Sequence, residues 1–229
     1  MLAHLDQVGF CGTPRFLGLD AKGREVLTFV AGEVAARPWP AWVADEQRIA
    51  SVARLVRSYD DAVATLPIPD SSTGVQFAAP LGMPASIAGP AELLGHMDVT
   101  PENVVFRNSV AVALIDFDLV RPATRTEEVG NVLLWWAPLM PIKDRELVLR
   151  DVDQPQGTRR RRVIGRGSRA AADTMPACRQ CPFWTPWKPI DSSFGIAEWT
   201  RPPSIASCGL SEIHVCRRIR VSSKSCFSR

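Results

Sequence analysis

Asp98, Asn103 and Asp116 are the residue types that a phosphoryl transfer would need, and they lie close together in the chain. A carboxylate in a tight loop can orient a substrate hydroxyl and accept its proton, while oxygen ligands hold magnesium against phosphate groups. Hard Mg²⁺ takes oxygen donors and keeps part of its water, so one amide and one or two carboxylates suffice from the protein. In this reading Asp98 is the catalytic carboxylate, and Asn103 and Asp116 are the metal ligands. Asp118 stands evenly between a second metal-site carboxylate and a structural one. A lone loop Asp is ordinarily a turn or cap residue; it is the joint spacing that points to chemistry.

The elements that must position these residues follow from the surrounding pattern. Asn103–Phe106 and Ala111–Ile115 are β-prone runs on either side of Arg107-Asn108-Ser109, which predicts a hairpin that returns Asp116 to the neighbourhood of Asn103. Upstream, residues 15 to 30 predict a second hairpin around Asp20-Ala21-Lys22-Gly23, and residues 31 to 43, with Gly32, Pro38 and Pro40, form a connector. From Asp45, placed as a cap, Ile49, Val52, Ala53, Val56, Tyr59, Val63 and Leu66 recur at helical spacing. Pro67–Pro90 reads as a loop. Thr126-Glu127-Glu128 opens a further helix with Val129, Val132, Leu133 and Trp136 on one face, stopped by Pro138.

His96, Asp98, Pro101 and Asn103 make the pattern H-x-D-x-x-P-x-N, followed after the hairpin by Ile115-Asp116-Phe117-Asp118. This segment resembles the aminoglycoside phosphotransferases and the related choline-kinase-like enzymes, and the likeness extends over roughly residues 3 to 156. The resemblance implies an α+β, protein-kinase-like fold, with a partial small β lobe (1–32) and a mostly helical large lobe (33–156). It implies ATP or GTP as donor, Mg²⁺ as metal and a small-molecule hydroxyl, such as that of an aminoglycoside, as acceptor. His96 would brace the loop, and the backbone around Phe29 and Val30 would receive the adenine edge. The same comparison implies that small-lobe strands before Met1 are missing, which leaves a second function class open: a catalytically inactive kinase-fold remnant or binding module.

Charge divides the chain. Residues 1–156 hold 13 Lys+Arg against 20 Asp+Glu, whereas 157–229 hold 14 against 4. Leucine falls from 17 to one, and five of the six cysteines lie in the second part. We therefore expect a basic, low-order tail from Gly157, consistent with a shift of reading frame there. Cys178, Cys181, Cys208, His214 and Cys216 offer a zinc set in which only the first pair has ligand spacing. Arg159–Arg162 is a run of a kind more often solvated than bound to nucleic acid or acidic lipid. No apolar run reaches the roughly 18 to 20 residues that span a bilayer, and the start lacks the n- and h-regions of a signal peptide, which points to the cytoplasm. Nothing in the sequence sets an oligomeric state.

Overall fold

The computed structural model describes residues 1–70, 77, 88–152 and 154–170. These form a mixed α/β unit of helices and small two-stranded sheets. A short helix α1 (Leu2–Gln7) leads into strands β1 (Phe16–Leu19) and β2 (Glu25–Leu27), the antiparallel hairpin expected from its turn residues. Asp20 makes that turn: one carboxylate oxygen accepts from the backbone N–H groups of Lys22 and Arg24, and the other from Arg24 Nε at 2.6 Å. Phe16, Leu17, Leu19 and Val26 of this hairpin are exposed.

Helix α2 (Glu46–Val63) is the axis of the core. Asp45 caps it as expected, accepting from Gln47 N at 2.7 Å and Arg48 N at 3.3 Å. Ile49, Val52, Ala53, Leu55, Val56, Tyr59 and Val63 are all buried along it, and pack against the rest of the core cluster. The second hairpin joins β4 (Val104–Arg107) to β5 (Val110–Leu114) through Asn108 and Ser109 at φ 48° and 64°, the paired left-handed residues of a tight hairpin turn. Arg48 ties this turn to α2: it lies over the rings of Trp42 and Phe106 and donates to Glu33 and to Ser109 Oγ. Gly32 runs against β4 where a Cβ would stand 2.4 Å from Val105 Cγ1 and 2.6 Å from the Phe106 carbonyl oxygen. The connector is thereby pinned to β4 by the Glu33–Phe106 bridge.

Three features depart from the sequence reading. Strand β3 (Leu93–Gly95) pairs antiparallel with β6 (Arg121–Ala123), a contact between two runs too short and too distant in sequence to announce themselves. Helix α3 (Arg125–Trp136) is capped by Thr124, not Thr126, in a full capping box with Glu127, and the side chains it buries are Glu128, Val132 and Trp136. After a short turn of helix, α4 (Leu147–Arg150), the chain forms α5 (Gln154–Ala170). The expectation of no regular structure after Gly157 is thus corrected up to Ala170. Gly157, Arg160, Ile164 and Gly167 recur at helical spacing and are buried, with a Gly167 Cβ position only 2.8 Å from Ala53 Cβ and 3.1 Å from the Ala50 carbonyl oxygen. Small residues in place of leucine made this face invisible to a search for apolar periodicity. The cysteine and histidine set from Cys178 to Cys216, and most of the expected loop 67–90, lie outside the described residues. No helix among the described residues is long and apolar enough to cross a membrane.

Candidate functional site

The loop from His96 to Asn103 links β3 to β4, and nearly every part of it is bonded from behind. Its first constraint is Gly95, at which a Cβ would lie 2.5 Å from Glu128 Oε2. The missing side chain lets the Glu128 carboxylate reach the backbone N–H of Met97, at 3.2 and 3.4 Å from its two oxygens. Met97 itself sits at φ 59°, a left-handed conformation that costs a non-glycine residue about 1 kcal/mol or more and persists only where surroundings enforce it. Asn131, one turn along α3, supplies the enforcement: its Nδ2 donates to the Met97 carbonyl at 3.0 Å and its Oδ1 accepts from Val99 N–H at 2.8 Å. Trp136 Nε1 donates to the Val99 carbonyl at 2.8 Å. Glu128, Asn131 and Trp136 therefore hold the loop from one helix, and the sequence reading missed the first two. Polar residues on the buried face of an amphipathic helix were the available signal.

His96 lies behind the loop, with a bond to it and a bond to the end of the hairpin. Its ring is fully buried, 4.6 Å from the Phe117 ring centroid and 6.3 Å from that of Tyr59. Nε2 lies 3.1 Å from the Ile115 carbonyl and Nδ1 accepts from Asp98 N–H at 3.3 Å, so the partners select the neutral tautomer with hydrogen on Nε2. Burial lowers the imidazole to about 4, which removes it from acid–base work near neutrality.

Asp98 and Asn103 are brought together. Asn103 Nδ2 donates to Asp98 Oδ2 at 2.8 Å and to the Asp98 carbonyl at 3.0 Å. The backbone carbonyl of Asn103 accepts from Ile115 N–H at 2.9 Å, which returns the hairpin so that Asp116 follows directly, at φ 64°. Asp98 and Asp116 are half-buried and Asn103 is buried. The set is thus two carboxylates and an amide on adjoining backbone, all oxygen donors on the acceptor side. Among the described residues no group of three or more His, Cys, Asp or Glu side chains converges on a point where a metal ion would sit.

Behind the loop lies a second, wholly buried acidic layer. Asp60 on α2 and Glu128 on α3 are both buried, and burial together with their mutual repulsion raises the pKa of Asp60 to about 9. Burial raises Glu128 as well, against the opposing pull of the Met97 N–H and Arg121. Glu128 receives backbone N–H bonds that favour its ionised form, whereas Asp60 Oδ1 accepts none and its Oδ2 has the Arg125 guanidinium at 4.0 Å to oppose the effect of burial.

Phe29 and Val30 are not brought into a common surface. Phe29 is 79% exposed and Val30 is buried at 8%, while the neighbouring Ala31 carbonyl is taken by Arg107 Nε at 2.6 Å. A cleft of about 500 Å³ lies instead between the start of α1, the β1–β2 hairpin and the turn after Asp116, with Met1, Leu2, Phe16, Glu25, Phe117 and Asp118 among its lining.

Comparison with known proteins gives a different name from the one that the motif suggested. The chain is 32% identical over 134 residues to the trifolitoxin immunity protein of Rhizobium leguminosarum bv. trifolii. That match covers 57% of this chain and 48% of the relative, so the chain spans about half the length of the curated protein it matches. No protein-family model matches the chain. These findings correct the reading as a phosphotransferase of the aminoglycoside phosphotransferase or choline-kinase type, together with its kinase and ATP-binding attributes and its alternative as an inactive kinase remnant. The loop pattern is carried here by a protein whose curated relative is named for immunity to a toxin.

Proposed function

We propose that this chain is an immunity-type protein, which protects the cell that makes it by capturing a small toxic molecule beside the Asp98 loop. The observation that carries this reading is the 32% identity over 134 residues to the trifolitoxin immunity protein. The geometry supports capture, because the loop is a rigid platform: bonds from Glu128, Asn131 and Trp136 fix its backbone before any ligand arrives. The cleft at the turn after Asp116 offers the Phe16 and Phe117 rings with Met1 and Leu2, and the Glu25 and Asp118 carboxylates, a lining suited to a ligand with apolar and cationic or hydroxyl-bearing parts. The acidic balance of residues 1–156 supports the same ligand charge.

In the same reading Asn103 and Asp116 would hold a magnesium ion, since each has an oxygen donor to offer and the ion keeps most of its coordination as water. The hairpin β1–β2 and the packing of α2, α3 and α5 support a finer reading of the fold as a small β portion on a larger helical one. A cytoplasmic location belongs to this proposal too.

The test is growth of a trifolitoxin-sensitive strain with and without this chain. Expression should raise the tolerated trifolitoxin concentration roughly tenfold or more, and Asp98→Ala at equal protein level should abolish that protection. Unchanged sensitivity in cells that contain the folded protein would overturn the proposal.

A further inference from the structure

Helix α5 gives separate tasks to a run of arginines that reads as one charged block. Arg159 pairs with Glu46 at 2.8 Å. Arg160 is buried and donates to the Ala44 carbonyl at 3.1 Å. Arg161 and Arg162 point elsewhere: with Arg166, Arg169, Thr158 and Gly165 they line an open groove of about 430 Å³ along the helix. Among the described residues no carboxylate lines it.

Glycine makes the groove. Arg161 Nη1 lies 3.4 Å from the point where a Gly157 Cβ would be, and the two terminal nitrogens of Arg169 lie 3.9 and 4.0 Å from the Cβ position of Gly165. Helical side chains lean toward the N-terminus, so each of these guanidinium groups folds back over the glycine one turn before it. Arg161 is further held by a bond from Nη2 to Thr158 Oγ1 at 2.9 Å. The opposite face, through Ile164 and Gly167, is locked against α2, so the helix cannot turn its charged side away. Like charges at this spacing repel, and the repulsion is relieved where an extended anion neutralises them.

We infer that this groove binds the phosphodiester backbone of single-stranded nucleic acid, independent of base sequence. Guanidinium groups fit phosphate oxygens in pairs and shed their water more easily than ammonium groups. From Arg161 to Arg169 the helix rises about 12 Å. At roughly 3.4 Å per phosphate along a stacked strand, that length meets three to four phosphates with four arginines. A helix lying on anionic lipid would need exposed apolar side chains beside its charged stripe, and the described residues that line the groove contribute none.

The experiment is fluorescence anisotropy of a labelled, mixed-sequence single-stranded oligonucleotide titrated with the full chain over a range of salt. The logarithm of the binding constant should fall with log salt at a slope of about −2.8, from roughly 0.7 per phosphate contact. The double variant Arg162→Glu/Arg166→Glu should bind roughly tenfold or more weakly at low salt and halve the slope, with helix content by circular dichroism unchanged. Gly165→Leu, which fills the groove without altering charge, should also weaken binding. Absence of oligonucleotide binding at low salt overturns the inference, as does a slope indifferent to the double variant or tighter binding to phosphatidylserine vesicles. Trifolitoxin protection is read separately, so failure of either proposal leaves the other measurable.

Discussion

Asp60 is the residue whose chemistry the surroundings alter most. Buried beside Glu128, it is held protonated in the fold up to about 9, against 3.8 for an ordinary Asp. A carboxyl group raised in this way contributes stability in full below its unfolded pKa, and that contribution is lost as pH rises toward the folded value. Asp60→Asn keeps the shape of the protonated form and removes the ionisation available to the unfolded chain. We expect the variant to be more stable than the parent by roughly 2–4 kcal/mol at pH 8 and to differ little from it near pH 4. Denaturant unfolding at a series of pH values checks this, and parallel pH profiles for the two proteins would remove the assignment of the proton to Asp60. His96 acts in the opposite sense: its lowered pKa of about 4 costs stability as pH falls below the ordinary histidine range, so it shapes the acid limb of the same profile.

Among the elements, α3 and α5 both pack on α2 but do different work. Helix α3 faces the loop with polar groups and fixes it, whereas α5 closes on α2 through small residues, as close helix crossings require. Two glycines two positions apart have different meanings on α5. A methyl group at Gly167 meets Ala53 Cβ at 2.8 Å, while at Gly165 the nearest atoms are the ends of a flexible arginine at 3.9 Å. Gly167→Ala should destabilise the protein by about 1–3 kcal/mol through overpacking. Gly165→Ala should stabilise it by roughly 0.5–1 kcal/mol through helix propensity. Thermal melts of the two variants give opposite signs if α5 docks through the Gly167 face; a gain in both would mean that it does not.

For the whole molecule, the described residues on both sides of Gly157 belong to one compact unit, so the boundary drawn in composition there does not mark an edge of the fold. Ile164 is fully buried in the same core cluster as Tyr59 and Trp136. Removing everything after Gln156 uncovers α2 along Ala50–Arg54 and deletes that packing. A chain ending at Gln156 should therefore lose at least about 2–4 kcal/mol, a large share of a typical domain's stability. The measurement is the cooperativity of urea unfolding; an unchanged midpoint would show that the core ends before α5.

The sequence by itself determined the local devices. Asp45 as a cap, Asp20 and Asn108-Ser109 as turns, and the α2 stripe depend on contacts within a few residues, so type and spacing suffice to read them. It also brought Asp98 to Asn103, because a short loop allows little else. Tertiary structure alone decided what lies behind the loop: Glu128 reaches Met97 only because Gly95 has no side chain, and β3 meets β6 only because the core folds them together. It decided too that an arginine-rich segment becomes a docked helix, since the fit of Gly167 against Ala53 belongs to two surfaces and is written in neither alone. What the loop serves was the least legible, because a rigid acidic turn is equally useful to more than one function, and the relative that the chain matches is named for immunity.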